Sequence, residues 1–170
     1  MSDTLEILLL ELKAKIESIE VVRRRLKDLN ARCVGIFQQI DTYFNSPKGR
    51  LKLREFKGEE KATLIYYERE NVIEPKKSNV LILEINESES FRMFFEQVFG
   101  KKVVVKKTRE IYMYQGTQIH LDIVKGLGTF IEFERKIEDF NEDQKILGQL
   151  RINLKIKEKN LLKGSYSDMF

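Results

Sequence analysis

The stretch Leu8-Leu9-Leu10-Glu11-Leu12-Lys13-Ala14-Lys15-Ile16 alternates with a period of two. As an extended strand it places Glu11, Lys13 and Lys15 on one face and Leu8, Leu10, Leu12, Ala14 and Ile16 on the other. One such strand marks only a sheet with a polar side. The device recurs down the chain, however. Arg50, Lys52 and Arg54 alternate with Leu51 and Leu53, Lys107 and Arg109 share a face, Gln118, His120 and Asp122 alternate with Ile119, Leu121 and Ile123, and Glu132 and Glu134 fall together. Carboxylates beside cations on strand after strand suit a lumen that holds metal ions and phosphate.

The totals bound the rest. The 170 residues are 42% hydrophobic and 34% charged, which fits one domain (1–170) with a sizeable core. No apolar run reaches the ~20 residues of a membrane span, and Met1-Ser2-Asp3 does not open a signal peptide, so no membrane partner is expected. A single cysteine, Cys33, excludes an internal disulfide and a multi-thiolate metal site, and with these features a cytoplasmic location is expected. Cys33 itself reads as a small core residue. The net charge of +4 permits an anionic ligand without demanding nucleic acid, and no RNA-binding motif is present. Monomer and homodimer both remain open.

Beyond the first strand at 7–16, periodicity predicts a helix over 18–30 capped by Ser18, with Arg23, Arg24 and Arg25 fanned into solvent. Strands follow at 33–44, 50–56 and 62–70. A loop over 71–78 precedes a strand at 79–86. Ser88 or Ser90 should cap the next helix, whose Phe91, Phe94, Phe95 and Val98 read as a core face and which ends at Gly100. Strands at 103–114, 117–124 and 130–135 come next, the first two joined by a Gln115-Gly116 hairpin turn. A last helix is predicted from Asn141, with Gln144 at the reciprocal capping position.

About eight strands and three helices can form a closed sheet, an α+β architecture with the helices outside. The collected polar faces carry Glu11, Lys13, Lys15, Lys52, Arg54, Arg69, Lys107, Arg109, His120, Asp122, Glu132 and Glu134. Inside a lumen, interleaved signs would compensate one another, and the apolar faces would turn to the helices. Alternation alone fits the solvated faces of an open sheet equally well.

These residues resemble the CYTH superfamily, the triphosphate tunnel metalloenzymes, and in particular its class IV adenylyl cyclase-like branch, with thiamine triphosphatases as relatives. The resemblance covers nearly the whole chain. It rests on Glu11-Leu12-Lys13-Ala14-Lys15, Asp41-Thr42-Tyr43-Phe44, Arg50-Leu51-Lys52-Leu53-Arg54, Leu64-Ile65-Tyr66-Tyr67-Glu68-Arg69 with Pro75-Lys76-Lys77-Ser78, and Lys107-Thr108-Arg109. Its most specific piece is the run from His120-Leu121-Asp122 through Gly126-Leu127-Gly128 to Glu132-Phe133-Glu134. The ending Gly164-Ser165-Tyr166-Ser167-Asp168-Met169 matches the closing motif of the cyclase-like branch.

The resemblance implies a closed eight-stranded antiparallel β-barrel. It implies that Glu11, Asp122, Glu132 and Glu134 carry Mg²⁺ or Mn²⁺. It further implies that Lys13, Lys15, Lys52, Arg54, Arg69, Lys76, Lys107, Arg109 and His120 bind a triphosphate. Glu11, Lys13, Arg54, Lys107, Arg109 and Glu134 are then the residues expected to act in catalysis. His120, the only histidine, suits either a general base or a hydrogen-bonding support for Asp122. Tyr166 either closes one tunnel mouth or packs the tail. Two departures stand out. Leu9 replaces the first glutamate of the family's Glu-x-Glu-x-Lys signature, and Thr129 stands where relatives often carry aspartate.

Phosphoryl chemistry needs such groups because it proceeds by positioning and charge neutralisation. Attack of a ribose 3′-hydroxyl on the α-phosphorus of ATP gives cyclic AMP and pyrophosphate, the reading the closest motifs suggest. Attack of water on the γ-phosphorus makes the protein a thiamine or inorganic triphosphatase. A third reading, motivated by Leu9, is a catalytically weakened binder of nucleotides or polyphosphate.

Overall fold

The computed structural model describes residues 5–170; Met1-Ser2-Asp3 lies outside the described residues. The strands are β1 (Leu5–Lys15), β2 (Arg32–Phe44), β3 (Arg50–Phe56), β4 (Ala62–Arg69), β5 (Lys76–Ile85), β6 (Lys101–Tyr114), β7 (Thr117–Val124) and β8 (Gly128–Lys136). They close into one antiparallel barrel in the order β1-β5-β4-β3-β2-β6-β7-β8. Closure comes from β1, which pairs with β5 on one side and with β8 on the other. Glu11 is thereby set opposite Lys76 and Glu134 at once.

Three helices, α1 (Ile19–Asp28), α2 (Ser88–Phe99) and α3 (Phe140–Asn153), lie outside the barrel. The main core is therefore outside the lumen. Leu10, Leu12 and Ala14 of β1 pack with Val22 and Leu26 of α1 and Leu147 of α3, all of them buried. The alternation of β1 explains this directly: its odd residues from Leu9 to Lys13 face the lumen and its even ones the helices. Ser18 caps α1 as expected, accepting from the Val21 amide. Among the described residues no helix is long and apolar enough to cross a membrane.

Several local expectations are corrected. β5 begins at Lys76 rather than 79, because pairing with β1 extends the ladder back through Lys77 and Lys76. The cap of α2 is Glu87, with no side-chain capping bond, in place of either serine. α3 is capped by Asp139, whose carboxylate accepts from the Asn141 and Glu142 amides, so the Asn141–Gln144 box does not form. Cys33 is exposed rather than core, next to the register shift between Cys33 and Gly35. The aromatic face of α2 divides. Phe91 and Phe95 pack on Phe44, Leu53 and Ile85, while Phe94 is 63% exposed and Val98 is also exposed. Arg23 forks onto Glu110 and Arg25 donates to the Leu154 carbonyl, so only Arg24 of the three keeps the purely solvated role.

Candidate active site

The lumen holds a cavity of about 120 Å³, several times the roughly 10–15 Å³ a single water requires. Its lining is two-sided. From β3, β2, β6 and β8 come Lys52, Arg54, Tyr43, Lys107, Arg109, Glu132 and Glu134; from β1, β4 and β5 come Leu9, Ile65, Val80 and Ile82, with Glu11, Lys13, Tyr67 and Arg69 beside them.

The ionic side is organised around a residue that sequence reading had not assigned. Asp41 is fully buried and accepts from Lys52 Nζ at 3.2 Å, Lys107 Nζ at 2.6 Å, and the Arg54 fork at 2.8 Å for both nitrogens. Burial alone would raise the Asp41 carboxyl, but Arg54, Lys107 and Lys52 together hold it well below the ordinary carboxylate range. The cations are crowded in turn. Burial and the neighbouring Arg54 charge push Lys52 down to about 8, and burial depresses Lys107 strongly although Asp41 opposes it. One carboxylate does not satisfy two buried lysines and a half-buried arginine, and such a group has affinity for a further anion. The signal was in the alternation of β2, where Gln39, Asp41 and Tyr43 share a face, but a lone aspartate gives no hint of its partners.

A second network joins β6, β7 and β8. Arg109 forks onto Asp122 with both bonds at 2.7 Å and reaches Glu132 at 3.0 Å; Lys13 pairs with the other Glu132 oxygen at 3.1 Å. Despite burial, the Lys13 and Arg109 charges keep Glu132 well below its ordinary value. Glu11 pairs with Arg69, yet burial dominates and raises its carboxyl, helped by Glu132 and Glu134.

The C-terminal tail enters the barrel at the end where β4 and β7 finish. Ser165 Oγ receives Arg69 at 2.6 Å and lies 2.8 Å from the Tyr67 hydroxyl. Tyr166 donates to Asp122 at 2.6 Å, and Lys13 Nζ sits 3.9 Å from the centre of its ring. Tyr166 thus both closes that end and contributes to the lining.

Of the residues singled out in the sequence, the cavity brings together Glu11, Lys13, Lys52, Arg54, Arg69, Lys107, Arg109, Glu132 and Glu134. Four others are placed differently. Lys15 is exposed, beyond the lumen, in a surface cleft with Arg25 and Lys157. Lys76 is buried but gives its three donors to the carbonyls of Val72, Leu162 and Lys163, so it ties the tail to the start of β5 instead of facing the cavity. Asp122 does not line the cavity: it lies behind Arg109, which forks onto both its oxygens, and Tyr166 donates to one of them; Arg109 and the other cations hold it down to about 2 against burial. His120 stands behind Glu132 and Glu134 and not in the cavity wall.

The donor set fits a divalent cation. Glu11, Glu132 and Glu134 offer hard carboxylate oxygens. Glu134 is the carboxylate free to take an added charge: its side chain is 24% exposed, and among the described residues it has no lysine or arginine partner.

Fold and lining define a class of protein, a closed antiparallel tunnel with its charges inside and its apolar faces turned outward to helices. The CYTH domain family model matches residues 9–166, and the chain belongs to that family. It is 30% identical to a protein of Methanocaldococcus jannaschii named "putative adenylate cyclase", over 94% of this chain and 96% of that one. The solved PH1012 protein of Pyrococcus horikoshii OT3 superposes with a TM-score of 0.86 at 26% identity, covering 98% of this chain and 99% of that one. A Hippeastrum protein, described as a "putative adenylyl cyclase" with a dominant triphosphatase activity, shares the fold at a TM-score of 0.67 and 14% identity, covering 95% of this chain and 93% of that one.

Proposed function

We propose that the protein is a divalent-metal-dependent enzyme acting on a nucleoside or organic triphosphate, with conversion of ATP to cyclic AMP and pyrophosphate as the first reading. The observation that carries it is the convergence of Lys52, Arg54, Lys107 and Arg109 on one cavity that also presents Glu132 and Glu134. Six cations (Lys13, Lys52, Arg54, Arg69, Lys107 and Arg109) stand against five carboxylates (Glu11, Asp41, Asp122, Glu132 and Glu134) in and around the lumen. A divalent cation added to that excess comes close to balancing a triphosphate.

In this reading Lys52, Arg54 and Lys107 hand part of their interaction from Asp41 to the phosphate oxygens, with Arg54 forking and the lysines acting as point charges. Arg109, held by Asp122 and Glu132, is preorganised to meet charge developing on the phosphoryl oxygens. Glu132 and Glu134, with Glu11 adjacent, would hold Mg²⁺ or Mn²⁺, which when bound supplies charge neutralisation and orientation of the phosphates. The aliphatic wall of Leu9, Ile65, Val80 and Ile82 supports an organic group at one end of the substrate, because inorganic tripolyphosphate has nothing to place against it. The cyclase reading draws its further support from the name of the Methanocaldococcus relative.

Incubation with ATP, thiamine triphosphate and tripolyphosphate in Mg²⁺ or Mn²⁺, with separation of the products, tests this directly. Cyclic AMP with pyrophosphate is expected from ATP. Orthophosphate as the only product moves the protein to the triphosphatases, and no turnover of any of the three rejects the enzyme.

A further inference from the structure

On β7 the alternation turns His120 inward, where it is 2% exposed. Its Nε2 lies 3.1 Å from Gln118 Oε1, an atom that can only accept, so Nε2 carries the proton. In the neutral ring that leaves Nδ1 as a bare lone pair. Nδ1 is buried and has no hydrogen-bond partner. It faces two carboxylate oxygens, Glu132 Oε2 and Glu134 Oε1, each at 3.7 Å. A lone pair directed at two anionic oxygens is repulsive unless positive charge lies between them.

Glu132 already shares Lys13 and Arg109, but Glu134 has no lysine or arginine partner among the described residues. An unpartnered nitrogen and an unneutralised carboxylate thus face each other across one small gap. The donor atoms of His120, Glu132 and Glu134 all lie within 4.8 Å of one another. Ligands at roughly 2.0–2.2 Å from one ion sit about 3 Å apart, so modest side-chain rotation closes the site. On β1, Leu9 presents only carbon to the cavity, and the carboxylate of Glu11 is shared with Arg69.

We propose that His120 Nδ1 is a further ligand of the ion that Glu134 and Glu132 would hold, and that this nitrogen makes the site take a first-row transition ion such as Mn²⁺ or Zn²⁺ in preference to Mg²⁺. Imidazole adds affinity for transition ions along the usual first-row order, whereas Mg²⁺ favours oxygen and gains little from nitrogen. His120 is then a metal ligand in place of a phosphate ligand, and the Nε2–H bond to Gln118 is the outer contact that fixes its tautomer and ring. The ion's use in catalysis rests on the function proposed above; its binding does not, and is measured without substrate.

The experiment is titration of the metal-free full-length protein with Mn²⁺ alone, followed by pulsed electron paramagnetic resonance. Modulation from a single ¹⁴N is expected, replaced by ¹⁵N modulation when histidine is labelled, and Zn²⁺ should displace the ion where an equal concentration of Mg²⁺ does not. His120→Asn should abolish the nitrogen signal and weaken Mn²⁺ binding by roughly tenfold or more, while Mg²⁺ binding is unchanged; thermal unfolding verifies that the variant is folded. The wild-type spectrum decides the matter even if the variant misfolds. Mn²⁺ bound without nitrogen coupling overturns the site, and if ATP still turns over then the proposed function survives it. Absence of any divalent-ion binding overturns the site and the metal-dependent reading together.

Discussion

The two walls of the lumen solve opposite problems. The wall built by β3, β2 and β6 buries more cationic charge than Asp41 can satisfy, and it gains from an added anion. The wall built by β1, β5 and β4 carries Leu9, Ile65, Val80 and Ile82, which gain nothing from charge and lose water gladly to an apolar group. A cavity with both can hold a molecule that is anionic at one end and organic at the other. The difference shows that residues of one cavity are not one functional unit, and the walls can be perturbed separately.

The largest effect should come from Asp41→Asn, which strips Lys52, Arg54 and Lys107 of their shared counter-ion. A loss of roughly 3–5 kcal/mol is expected in urea unfolding, with tripolyphosphate restoring more stability to the variant than to the wild type. An unchanged midpoint would break the picture of an overcharged wall. Next, Arg54→Gln should lower kcat/KM by roughly 10²–10³ for every triphosphate alike, because it removes a group that meets phosphate and not the organic end. On the other wall, Ile82→Ala should cost roughly tenfold in kcat/KM with ATP and nothing with tripolyphosphate. Equal losses on both substrates would mean that the aliphatic side does not meet the organic group.

The smallest effect is a pH dependence. Burial and the Arg54 charge bring Lys52 to about 8 in the folded protein, below its ordinary 10.5. Between those values the unfolded chain holds more protons than the folded one, so the empty protein becomes more stable as pH rises from 8 to 10.5. Affinity for tripolyphosphate should fall across pH 8 as the cation is lost. Calorimetric melting and binding isotherms should therefore slope in opposite directions, and Lys52→Met should flatten both.

Much of the barrel was legible because period two is a local property. β3 and β7 run over the residues predicted, and the inward set of charged side chains follows from parity along each strand. What was not legible concerns partners. Asp41 looked like one polar residue of a strand until β3 and β6 closed over it. Lys76 carries the charge expected of a phosphate ligand, but the tail brings two carbonyls to its ammonium. Lys15 keeps the parity of Glu11 and Lys13 and yet falls outside, because β1 runs past the end of the lumen. Phe94 was assigned to the same helical face as Phe91 and Phe95, but α2 meets the barrel through Phe91 and Phe95 and leaves Phe94 in solvent.

From the sequence alone came the division of each strand into a charged face and a leucine face, since each side chain's face is set by its position in an extended backbone; the family resemblance is what implied that the charged faces turn inward. Only the closed structure decided which charges neutralise one another and which are left wanting a ligand, because ion pairs form between strands far apart in the chain and depend on register to within one residue.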